Sequence, residues 1–235
     1  MTSKSEYHYV PLFAPLVEKN KIKRIFVPQF QNPIQTDLEM KCKTIFSDYE
    51  QPKWNWCAMC NLAMIMRAQG SNPHVHKLFK QACKLNVYRE NIEHASLPKA
   101  QKSSTHKWVG AFHKDLAHFI LIQTLLPAVP FRGIETDEAL VGMLDADNAL
   151  LLSVGSQINA LRWRTGQPTS GHMILVYGYE YTVQDDGNGG EVKTVSHLIT
   201  SNPAGLFVPY SQHHVALPIG YVRDWSCGRG VAVLT

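Results

Sequence analysis

The sequence predicts an α+β domain in which helices come first and an antiparallel sheet follows. Three observations carry that prediction. The helical signals run from Cys57 to a segment opened by Thr136, with apolar residues either at helical spacing or filling whole turns. The period then changes, and three stretches rich in Val, Ile, Leu, Thr and Tyr follow. Between the last two lies Asp185-Asp-Gly-Asn-Gly-Gly190, a turn that suits a long hairpin. A repeating βαβ sheet would alternate the two periods, and no internal repeat or low-complexity tract is visible.

Taken in order, residues 1–50 are mixed, with a short apolar run at Ile25–Val27 that suits a strand. Residues 1–45 read as an N-terminal arm of the same domain, and residues 46–235 as its main body. From Cys57 to about Gln69 the chain is apolar nearly all round, which predicts a helix buried in the core. Gly70-Ser-Asn-Pro73 ends it. A second short helix is expected from His74 to about Leu85. Residues 86–107 are polar and rich in Lys, Ser and His, and read as a surface insertion. Phe112, Leu116, Phe119 and Ile120 fall at helical spacing within 109–126, with Pro127 just beyond. Thr136-Asp-Glu offers an N-cap and an acidic first turn to a further helix. The strands are expected at Ala149–Val154, Met173–Tyr179 and Val192–Thr200.

Bulk composition narrows the function. A chain of 235 residues can bury roughly 70–75% of its extended surface, so its core needs no disulfide or metal. The net charge of +4 is spread along the chain and too weak to argue for a nucleic-acid partner. The first 30 residues lack the apolar run of a signal peptide, and no stretch is long enough for a membrane span. The five cysteines are odd in number and read as reduced thiols. The expected product is cytoplasmic as made, with neither membrane nor nucleic-acid partner. Export by a system that needs no signal peptide would leave no mark in such a sequence.

Three points along the chain fit one chemistry. Cys57 opens the buried helix, six residues after Gln51. Gly171-His172 heads an apolar strand. Asn202-Pro203 follows the next strand. A thiol that attacks a carbonyl must become a thiolate, and a helix N-terminus lowers a cysteine pKa. It needs a histidine to take and return the proton, and His172 is the candidate. The imidazole needs an acceptor to fix its ring, which the Asn202 side chain can supply. The oxyanion needs donors, and the Cys57 N–H and the Gln51 amide are candidates.

These residues resemble a known pattern. Papain-like cysteine peptidases place a glutamine six residues before the catalytic cysteine, then a core helix, a histidine heading a strand and a later Asn or Asp. The string Gln51-Pro-Lys-Trp-Asn-Trp-Cys57, with Met64 and Gly70 beyond, is similar to the bacterial C39-like peptidases and the papain-like effector proteases of plant pathogens. Leu150–Val154, Gly171-His172-Met-Ile-Leu-Val-Tyr-Gly-Tyr179 and Asn202-Pro-Ala-Gly205 are similar to their strand, Gly-His strand and Asp-Pro motif. The resemblance covers roughly 51–70 and 149–205. This chain departs from the pattern in having Trp56 and Ala58 around the cysteine, and Asn202 where the bacterial relatives tend to carry Asp. The resemblance implies a papain-like fold and hydrolysis of amide, mainly peptide, bonds. It implies no cofactor, a protein or peptide substrate, and, for an effector or toxin, an immunity-type inhibitory partner. A deamidase or acyltransferase could use the same site.

Two other readings share the cysteines. Trp56-Cys57-Ala-Met-Cys60 has the Trp-Cys-x-x-Cys form of a thioredoxin-like redox centre, although that motif should follow an apolar strand. A zinc site would combine Cys57, Cys60, His74 and His76, but its His-x-His spacing is shorter than usual. Cys60 reads as core packing one turn inside the helix.

Overall fold

A computed structural model describes residues 23–26, 56–90, 110–155, 158, 170–203 and 215–235. The arrangement is α+β, as predicted. Five helices are described: α1 Cys57–Ala68, α2 Val75–Lys84, α3 His113–Thr124, α4 Asp137–Asp145 and α5 Ile219–Trp225. The described strands are β1 Lys23–Phe26, β2 Ala128–Arg132, β3 Asn148–Gly155, β4 Ser170–Asp185, β5 Glu191–Ser201, β6 Val215–Pro218 and β7 Ser226–Leu234. They form one antiparallel sheet in the order β2-β7-β3-β4-β5-β6, with β1 also paired to β4.

Helix α1 is the centre of the helical layer. Ala58 through Ile65 are all buried, so hydrophobic burial holds the helix from every side. Fully burying each large side chain, such as Leu62 or Ile65, contributes about 1.5–3 kcal/mol. Trp56, just before the helix, is also buried and stacks on Phe79 of α2 at 5.0 Å and on His76 at 5.5 Å. That stacking fixes the direction in which the chain runs into α1. Thr136 caps α4 as expected, its hydroxyl accepting from the Ala139 N–H at 3.2 Å.

The β4–β5 hairpin is pinned by its turn. Asp186 Oδ1 accepts from Asn188 N at 2.7 Å and Gly190 N at 2.9 Å, while Gly187 and Gly189 take positive φ. Residues 91–107 of the expected surface insertion lie outside the described residues. At its start, Val87 and Tyr88 are buried, because Tyr88 packs against Phe79 at 4.9 Å.

The C-terminal tail, for which the sequence suggests no role, supplies β6, α5 and β7. Strand β7 runs between β2 and β3 inside the sheet. At Gly230 a Cβ would stand 2.2 Å from the Leu151 carbonyl oxygen and 2.8 Å from the Phe131 ring. Only glycine admits that close approach. A β-bulge between Leu152 and Val154 shifts the β3–β7 register beside it.

Candidate active site

The geometry begins with Met173. Pairing of β4 with β5 starts only at Leu175↔Ser201, so the β5 side of β4 is open at Met173. Helix α1 fills that opening. The Asn61 side-chain amide donates to the Met173 carbonyl at 2.9 Å, and a backbone hydrogen bond from Met173 reaches the Cys57 sulfur. Two contacts one helical turn apart therefore dock the start of α1 onto β4 beside His172. Cys57 is the first residue of α1, as expected, and is partly buried.

His172 is buried, and its Nε2 lies 2.7 Å from Asn202 Oδ1. Asn202 follows directly on β5 and is itself buried. An amide oxygen only accepts, so Nε2–H is the donor and Nδ1 keeps its lone pair. Cys57, Ala58, Gly171, His172 and Met173 line one cleft of about 940 Å³. Three of the four residues singled out in the sequence thus belong to one constellation. Gln51 lies outside the described residues. Cys60 points into the core, fully buried, and the His76 ring is stacked on Trp56 with an interplanar angle of 15°.

The electrostatics differ from the expectation of a preformed thiolate. Burial pushes the Cys57 thiol up to about 11, overcoming the backbone hydrogen bonds from Met173, Ala58 and Cys57 that favour its anion. Burial likewise pulls His172 down to about 4, against the Asn202 hydrogen bond that favours the imidazolium. The resting pair is a neutral thiol and a neutral imidazole. Desolvation outweighs the helix N-terminus here even though no acid in the first turn of α1 opposes the thiolate.

Sequence reasoning missed several residues that line the cleft or support its wall. Asn61 is the one polar side chain among the buried residues of α1, and that isolation is a readable signal. Ser153 interrupts the apolar run of β3, and its hydroxyl meets His113 Nε2 at 2.6 Å. His113, Arg132 and Arg229 all line the cleft. The two arginines sit on β2 and β7, neither of which shows in the hydrophobic pattern.

Comparison with known proteins adds the following. The pattern of the Peptidase_C39 like family matches residues 43–207, well over half of the chain. No curated protein matches. Among solved structures, the chain is similar to the peptidase domain of Streptococcus ComA, a bifunctional ABC transporter involved in a quorum-sensing pathway. The two share 12% identity, with 79% of this chain and 96% of that domain covered and a TM-score of 0.41. Among the described residues, no helix is long and apolar enough to cross a membrane.

Proposed function

The chain belongs to the Peptidase_C39 like family, and on that premise we propose that it cuts peptide bonds through Cys57, His172 and Asn202. As a cysteine peptidase it acts on peptides or proteins. The observation that most supports the assignment is the shared cleft of Cys57 and His172, with the Nε2 of His172 held by Asn202. Gln51, six residues upstream, is assigned by its position in the sequence as an oxyanion donor beside the Cys57 N–H.

The neutral resting pair sets the order of events. His172 Nδ1 accepts the Cys57 thiol proton as the sulfur bonds to the carbonyl carbon, and the carbonyl oxygen becomes the oxyanion. Asn202 keeps the Nε2–H engaged while the imidazolium exists. The oxyanion collapses, the C–N bond breaks, and the amine leaves with the proton from His172. Water then gives a proton to His172 and adds to the thioester, and breaking the C–S bond returns the proton to sulfur.

The resemblance of Gln51–Cys57 to effector proteases extends the proposal to an effector or toxin acting on few proteins, with an inhibitory partner over the cleft. The test is to incubate wild type and Cys57→Ala with a cell lysate and read peptide termini by mass spectrometry. New termini confined to a few proteins, and only with wild type, are expected. Mass shifts of about one unit on Gln or Asn, without new termini, would replace peptidase by deamidase.

Asn202 offers a separate check. Asn202→Ala frees the ring to turn and is expected to lower turnover by roughly ten- to a thousand-fold, less than loss of the nucleophile. Asn202→Asp should keep substantial activity. Its carboxylate favours the imidazolium, so the acid limb of the pH–rate profile should move to higher pH. An Asn202→Ala enzyme as fast as wild type would move the third member of the triad elsewhere.

A further inference from the structure

We propose that the wall of the cleft formed by β2 and β7 is a subsite for a carboxylate of the substrate, held between Arg132 and Arg229. The inference rests on the peptidase reading and adds a substrate class to it. Arg132 and Arg229 are direct cross-strand partners in the β2–β7 register, and both line the cleft that holds Cys57 and His172. Like charges directly opposite in a ladder repel. Neither arginine makes an ion pair among the described residues. The acid among the residues that line the cleft, Asp115, is taken by Arg89 at 3.0 Å. Glu135 packs beside Gly228 without pairing with either arginine. The Arg229 Nε is buried and has no hydrogen-bond partner. An orphaned buried donor costs stability that an incoming acceptor would return.

The surroundings reinforce the sign. Lys114 lines the same wall, and His113 begins α3, whose N-terminus carries partial positive charge. His113 is kept neutral first by burial and then by the charges of Arg229 and Arg132. It spends its Nε2 on Ser153 and adds no competing charge.

Register sets the reach. Arg132 pairs with Arg229, the next residue Gly230 pairs with Leu152, and Ser153 pairs with Met173. The arginines and Met173 therefore lie close to one row across β2-β7-β3-β4. At ~4.8 Å between strands, Arg229 stands ~10 Å and Arg132 ~14 Å from β4. An extended peptide advances ~3.3 Å per residue. The carboxylate the arginines accept thus lies three or four residues from the scissile bond.

The test uses the full chain and a peptide built around a bond that wild type cuts in lysate. Glu is placed at each position out to five residues on either side and compared with Gln. At one position, three or four residues from the cut, Glu should raise kcat/KM about ten-fold, through KM and not kcat. Arg132→Gln should erase that preference, and Arg132→Glu should transfer it to Lys. Arg132 is exposed, so these variants keep the fold when Arg229 variants do not. Peptides ending at the preferred position, with free or amidated termini, separate a chain-terminal carboxylate from a side-chain one. Equal rates for Glu and Gln at every position, unchanged by Arg132→Glu, would overturn the subsite while leaving the peptidase standing. A wild type that cuts no bond overturns both.

Discussion

Cys57→Ala is expected to lower turnover by about 10⁴–10⁶-fold, because the proposed mechanism routes every covalent step through the Cys57 sulfur. The fold should survive. The side chain is only partly buried, and the bond from Cys60 N to the Trp56 carbonyl, 2.9 Å long, is backbone alone. Circular dichroism checks the fold, and cleavage of the best peptide checks the rate. Iodoacetamide separates this site from a preformed ion pair. With the thiol near 11, only about one molecule in 10⁴ is a thiolate at pH 7, so alkylation of Cys57 should rise roughly ten-fold per pH unit up to about pH 10. Fast alkylation near pH 6 would show that His172 already holds the proton at rest. A Cys57→Ala enzyme with a tenth of wild-type activity would remove Cys57 from the mechanism.

The sequence and the structure agree where one physical force decides. Helix α1 is legible because a segment apolar on every side can only be buried. Strands β3, β4 and β5 are legible because β-branched residues and the glycine-rich turn point the same way. Strand β7 is not. Its first half, Ser226-Cys-Gly-Arg-Gly230, has two glycines and a charge, and only the close approach of Leu151 and Phe131 explains Gly230. Strand β2 carries Pro130 and exposed residues, as an edge strand can. The places of Cys57, His172 and Asn202 were readable because each is local to a helix start, a strand head or a strand end. The charge state of the pair was not, because burial is a sum over neighbours that come from distant parts of the chain. Arg132 and Arg229 escaped for the same reason, since only the β2–β7 register makes them neighbours.

Substitution of His172 should have the other large effect, and it should act on stability as well as rate. His172→Leu removes the proposed base, and turnover should fall about as far as in Cys57→Ala, since residues that act as one unit are lost together. The stability effect follows from linkage. In the unfolded chain the imidazole titrates near 6.5, whereas burial holds it near 4 in the fold. Below pH 6.5 the unfolded chain therefore binds a proton that the folded chain refuses, and stability falls as the pH drops. The loss is complete near pH 4 and amounts to about 3 kcal/mol from this one group. His113 and His197 are also lowered by burial and slope the same way, so only a comparison isolates His172. Urea unfolding at several pH values from 7 down to 4.5 should give a shallower decline for His172→Leu than for wild type, by about one proton. Leaving Asn202 Oδ1 without the His172 donor should lower the variant's stability at pH 7. That penalty does not vary with pH, because neither leucine nor asparagine titrates. Parallel declines for the two proteins would mean that His172 is already free to protonate near 6.5. The neutral resting pair, and the order of proton transfer built on it, would then be wrong.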